Sequence, residues 1–273
     1  MEPIYVADLF PVIDKKLIDL LRSLTPEQWT LRATPNWTVH QVASHLLDGN
    51  LRRLSIARDQ YWGEPFQGSS YQELVDFLNG LNADWVKAFR RISPRILIEL
   101  LDIANREVAS YFQSLDPQGQ APFAVSWAGE SQSENWFDIA REYTEKWHHQ
   151  QQIREAVGQD GIQSRELYFP VLDTFMRCLP NGYRNVDGAP NDTLAIHVAG
   201  QAGGDWYLSR VNDSWRLSRD ANGNIRGEVT IPQSLAWKLF TKGLSKEAAR
   251  RALTLRGDAA LTDPITGVTA IMG

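Results

Sequence analysis

Apolar side chains recur at helical spacing through the first 160 residues and then give way to short alternating runs. This change of period restricts the chain to a helical part followed by a mixed one. The first helix opens near Asp8 and carries Leu9, Val12, Ile13, Leu17, Leu20, Leu21 and Leu24 at helical intervals, with Pro11 tolerated only in its first turn. Thr25-Pro26-Glu27-Gln28 and Thr38-Val39-His40-Gln41 both read as capping boxes. The second should open a helix running to about Trp62, where Gly63 and Pro65 stop it. Further helices are predicted from Ser70 to Ile92, from Ser93-Pro94 to Leu115, and from Glu134 to Val157, where Gly158 supplies a C-terminal stop. Long helices joined by loops point to an antiparallel four-helix bundle.

Beyond residue 160 one helix is predicted from Pro170 to Leu179. Alternating runs follow at Leu194–Val198, Trp206–Ser209, Trp215–Ser218 and Arg226–Ile231, with turn signals at Gly203-Gly204 and Asn212-Asp213 and a hairpin turn at Asn222-Gly223. A helix from Ser234 to Thr241 and a strand at Leu253–Leu255 complete an α+β unit. The fold class is therefore α plus α+β, with a bundle over 1–160 and a smaller α+β domain over 161–273.

A formal net charge of −5 lacks the basic footprint of a general nucleic-acid binder. One cysteine, Cys178, excludes an internal disulfide, a four-cysteine zinc site and a cysteine-held iron–sulfur cluster, and its apolar helix segment makes it a packing residue. The opening residues do not form a signal peptide, and no apolar run reaches the roughly 20 residues of a membrane span, so a cytoplasmic protein is expected. Nothing in the sequence decides between a monomer and a dimer.

Chemistry concentrates in the segment Arg141-Glu142-Tyr143-Thr144-Glu145-Lys146-Trp147-His148-His149. Glu145 and His149 are four apart, so they stack on one helix face and form a workable chelate for a borderline metal. His45 on the second helix can supply a third ligand across the bundle. The competing reading is a solvated surface pair. Asp138, Glu142, Glu145, His149 and Gln152 lie nearly opposite the apolar stripe Trp136, Ile139, Ala140, Tyr143 and Trp147, a face that normally meets water unless a second layer covers it. His40 reads as exposed and His197 as structural.

Leu21 to Asn50 resembles the opening of the DinB-like, mycothiol-dependent maleylpyruvate isomerase family. There a helix entered through a W-T/S-V motif, here Trp37-Thr38-Val39, carries a metal histidine followed by leucine, here His45-Leu46. Glu145 to Ala156 is similar to the family's second motif, whose E-x-x-x-H supplies the other two ligands. The resemblance implies a metal held by His45, Glu145 and His149, with His148 a neighbour about 100° around the helix. It also implies a sterol-carrier-like C-terminal domain. The second motif often has aspartate where Gln152 stands, which leaves the ligand set intact and alters its support.

The activity so implied is metal-dependent chemistry of a low-molecular-weight thiol (mycothiol, bacillithiol or glutathione). The metal would be zinc, with nickel, cobalt, manganese or iron as alternatives. It would stabilise the thiolate for attack on a small electrophile, giving isomerisation or S-transfer. An anionic substrate needs a basic partner. Arg52, two turns beyond His45, is the first choice; Arg226 and Arg256 are others, and Trp206 and Trp215 are residue types that line such sites. Two alternatives stay open: a metal-dependent hydrolase at the same site with Glu142 as base, and a metal- or small-ligand-binding module without chemistry.

Overall fold

The computed structural model describes residues 1–271. The chain packs as two units, each assembled from more than one stretch of sequence. One unit comprises 5–122 and 145–162; the other comprises 1–4, 123–144 and 163–271.

The first unit is helical. It holds α1 (Phe10–Ser23), α2 (Val39–Arg53), α3 (Tyr71–Phe89), α4 (Pro94–Ser114) and the C-terminal half of α5 (Asn135–Val157). Helix α2 packs against α3 and α4, and α1 against α4. Leu17 and Leu21 from α1, Val42 and Leu46 from α2, Leu97 and Leu101 from α4 and Ile153 from α5 share one apolar core. Both ends of α2 matter to the site. Thr38 and Gln41 form the expected capping box, with the Thr38 N–H donating to Gln41 Oε1 at 2.8 Å and the Gln41 N–H to Thr38 Oγ1 at 3.4 Å. The far end departs from the sequence reading: α2 stops at Arg53, and a π-helical turn over Leu54–Arg58 widens the chain before it leaves the helix. The other capping box, at Thr25 and Gln28, also forms, but only a 3-10 turn follows it, Gln28–Thr30. Capping satisfies orphan backbone donors; it does not supply the apolar length that sustains a helix.

The second unit is built on a five-stranded sheet of order β3-β2-β1-β4-β5. The strands are β1 (Asp192–Ala199), β2 (Gly204–Val211), β3 (Ser214–Ser218), β4 (Asn224–Pro232) and β5 (Thr254–Gly257). Only β1 and β4 pair in parallel; β1–β2, β2–β3 and β4–β5 are antiparallel. Asn222-Gly223 therefore lies in a crossover from β3 to β4 rather than in a hairpin, while Asn212-Asp213 closes the true β2–β3 hairpin. Leu194, Ile196, Val198, Trp206, Leu208, Val229 and Ile231 form the buried face of the sheet. Helices α6 (Arg165–Met176) and α8 (Gln233–Phe240) lie in the same unit, and the Tyr168 hydroxyl of α6 donates to the Gln233 carbonyl at 2.7 Å. The short helices α7 (Leu179–Gly182), α9 (Lys246–Ala252) and α10 (Ala259–Thr262) were not legible as periodic segments.

No helix among the described residues is long and apolar enough to cross a membrane.

Candidate metal centre

The C-terminal half of α5 is buried on nearly all sides, polar residues included. Lys146, His148, His149, Gln150, Gln151 and Arg154 are all buried, and Asp138 in the N-terminal half is as well. Of the face that its spacing assigned to water, Asp138 and His149 are buried, while Glu142, Glu145 and Gln152 are partly buried. That shifts the balance against a merely solvated Glu–His pair, because buried polar side chains must find partners.

Glu145, His148 and His149 bring three donor atoms within 4.8 Å of one another. Glu145 Oε2 lies 3.6 Å from His149 Nε2 and 4.0 Å from His148 Nε2. The ring of His45, from α2, stands edge-on to that of His149 with centroids 4.9 Å apart. The indole of Trp37, just before the α2 cap, lies 4.9 Å from the His45 ring. The structure thus brings His45, Glu145 and His149 together, and it adds His148, which the sequence reading had turned away from the site.

The proton positions follow from the hydrogen bonds. His149 Nδ1 lies 2.8 Å from Gln152 Oε1, an amide oxygen that only accepts, so Nδ1 carries the hydrogen. Burial, reinforced by the neighbouring His148, pushes the His149 pKa down to about 3, against smaller opposing effects of Glu145 and Gln152. The ring is therefore neutral at physiological pH, with the Nε2 lone pair facing the Glu145 carboxylate. Two electron-rich atoms 3.6 Å apart form a pair between which a divalent cation would be favourable. Nitrogen and oxygen donors of this kind suit zinc and its first-row neighbours. The residues present fit a divalent metal.

Arg52 is positioned by two partners. Its Nη2 lies 2.9 Å from Asp48 Oδ2, one turn back on α2, and donates to Asn82 Oδ1 of α3 at 2.7 Å. Burial raises the Asp48 carboxyl above its ordinary range, more than the Arg52 charge lowers it. The other basic residues lie in the sheet unit. Arg226 is 3.8 Å from Asp192 and 3.5 Å from Asp258, and Arg256 sits in β5 opposite Glu228. Trp206 and Trp215 are core residues of that unit, 0% and 4% exposed, with their indole N–H groups donating to Asp173 and to the Val186 carbonyl. His40 is half-buried and bonded through Nε2 to the Ile92 carbonyl at 2.9 Å, so it is not the exposed residue expected. His197 points out of the sheet and pairs with Asp205 at 2.6 Å. Cys178 is buried, and burial pushes its thiol pKa up, consistent with a packing role.

A buried polar layer adjoins the centre. Lys146 Nζ lies 2.7 and 2.9 Å from the two Asp14 oxygens and donates to Asn105 Oδ1 at 2.8 Å; Asn50 Nδ2 donates to the same oxygen at 2.7 Å. One side chain comes from each of α1, α2, α4 and α5. The layer escapes a sequence reading because each member is an ordinary polar residue whose burial only the assembled bundle reveals.

The profile of the "Mycothiol maleylpyruvate isomerase N-terminal domain" matches residues 10–154, more than half of the chain. A crystal structure of a histidine-to-alanine mutant of mycothiol-dependent maleylpyruvate isomerase is similar, with a TM-score of 0.54 at 11% identity over 92% of each chain. A second crystal structure of mycothiol-dependent maleylpyruvate isomerase aligns with a TM-score of 0.46 at 12% identity, covering 85% of this chain and 86% of that one. At such identity the first likeness is one of fold, and it spans both the helical and the sheet-bearing parts. No curated protein matches the sequence. With the matched segment running from the start of α1 to the last turn of α5, the chain belongs to the mycothiol maleylpyruvate isomerase N-terminal domain family.

Proposed function

We propose that the protein is a metal-dependent enzyme that uses a low-molecular-weight thiol, mycothiol first among them, to isomerise or S-conjugate a small electrophile. The observation that carries this reading is the convergence of Glu145 on buried His149 beside His45, with His149 held neutral and its Nε2 turned to the carboxylate. His45, Glu145 and His149 would hold the metal, zinc or a first-row neighbour. A divalent metal bound there would lower the pKa of a coordinating thiol so that it ionises near neutral pH.

The remaining roles belong to the chain itself. Gln152 orients His149 by accepting from its Nδ1–H, the support that ligating histidines commonly receive. Trp37 packs against His45. Arg52, held by Asp48 and Asn82, is the group we assign to an anionic substrate, a guanidinium pre-set by its own partners. No protein nucleophile is required: the sulfur of the thiol adds to an electrophilic carbon. Rotation and elimination of the same thiol give a cis–trans isomer, while loss of a leaving group gives the S-conjugate. We assign the protein to the cytoplasm, where it would meet a pool of such a thiol.

The test is to load the full-length chain with zinc and supply mycothiol with maleylpyruvate, then with an electrophilic dye. Glutathione and bacillithiol run in parallel. We expect thiol-dependent turnover of at least one electrophile, lost in His149→Gln and Glu145→Gln. Turnover without thiol, or none with any thiol in the zinc-loaded protein, contradicts the reading.

A further inference from the structure

We propose that His148 is a direct metal donor in this chain, giving the centre four protein donors rather than three. The inference deepens the metal reading above and rests on it.

Helical spacing sets His148 beside Glu145. Relative to Glu145, a residue three further on lies about 60° to one side around the helix, and a residue four further on about 40° to the other. His148 and His149 therefore flank Glu145 on the next turn, although they stand about 100° from each other. Their ring centroids lie 4.0 Å apart, with the planes tilted by 39°.

Donors bound tetrahedrally at about 2.0–2.1 Å lie roughly 3.3 Å apart. The Glu145 Oε2 to His149 Nε2 distance of 3.6 Å is close to that value, and the 4.0 Å to His148 Nε2 exceeds it by an amount a small side-chain rotation covers. Both Nε2 atoms approach the same carboxylate oxygen. All three donors lie within 4.8 Å of one another, a set of which His45 is the neighbour and not a member.

His148 is 3% exposed, so its Nε2 faces Glu145 among protein atoms rather than in bulk water. With His148 bound, three donors come from a single turn of α5 and one from α2.

The experiment uses the full-length chain labelled with 15N-histidine and loaded with 113Cd, and reads scalar coupling from cadmium to each imidazole nitrogen. Coupling at both His148 and His149 supports the proposal. Coupling at His149 with none at His148 overturns it and leaves the three-residue site standing. A protein that takes up neither cadmium nor zinc overturns both. Zinc affinity by chelator competition gives a second reading. An unchanged affinity in His148→Gln, with helical circular dichroism kept in the metal-free variant, contradicts the assignment.

Discussion

Gln152 shows how much one side chain outside a ligand set can decide. It accepts from His149 Nδ1 and so directs the other ring nitrogen to the centre. Replacing it with leucine should lower zinc affinity by about 10–100-fold with every donor in place, measurable by chelator competition; an unchanged affinity would mean the tautomer is set elsewhere. His149 also makes the metal-free protein acid-sensitive. Its pKa is 6.5 in the unfolded chain and about 3 in the fold. Above pH 6.5 neither state carries the proton. Between pH 6.5 and 3 the unfolded chain binds it and the fold does not, so stability falls as the pH is lowered across that window. The denaturant midpoint of metal-free protein should drop there, and drop less in His149→Gln. Equal slopes would remove His149 as the cause. At this scale, spacing offered Glu145 and His149 as a chelate with His45 as a third donor, and the resemblance to the family's two motifs is what singled them out from a solvated pair. The surroundings of His148 and the bond from His149 to Gln152 were not readable, because they depend on how α5 is rotated and buried, and the helix has polar residues on most of its circumference.

At the scale of elements, α5 is the helix that local pattern describes least well. Its apolar stripe is real, yet Lys146 and Gln150 are buried too. The reason is the layer in which Lys146 meets Asp14 and Asn105, and Asn105 meets Asn50. Such a layer fixes the rotation of α5 next to Glu145, since a register slip would strand a charge in the core. Lys146→Met should cost about 3–5 kcal/mol in denaturant unfolding by leaving the Asp14 carboxyl without its cation. The double variant Asp14→Leu with Lys146→Met should recover most of that loss. A single variant within about 1 kcal/mol of the parent would show the pair to be dispensable. Capping signals predicted the starts of α2, α3 and α4 well, because Thr38, Ser70 and Ser93 each accept from a backbone N–H of the first turn. Helix ends were harder: α2 leaves its α-helical course at Leu54 with no proline or glycine to announce it, in a π turn set by tertiary packing. The α6 segment also outran its reading, since Pro170 lies inside it and not at its start.

At the scale of the whole molecule, a helical N-terminal part and a C-terminal sheet accord with the change of period in the sequence. Packing follows a different line. Residues 123–144 belong with the sheet, where the Tyr143 hydroxyl donates to the Leu167 carbonyl and Asn181 Nδ2 to the Trp127 carbonyl. Long-range partners of this kind leave no periodic trace. A chain ending at Asp160 should keep α1 to α4 helical by circular dichroism, while amides of 123–144 exchange rapidly with deuterium. Protection of that segment in the truncated chain would show that it orders without the sheet. The claim on which the rest depends is that Glu145 and His149, with His45, hold a metal that in turn receives a thiol. The most direct test is calorimetric titration of mycothiol into the full-length chain with and without bound zinc. The account predicts binding to the zinc-loaded chain, none to the metal-free chain, and loss of both zinc and thiol binding in Glu145→Gln and His149→Gln. Equal thiol binding with and without zinc, or none in either form, would contradict it.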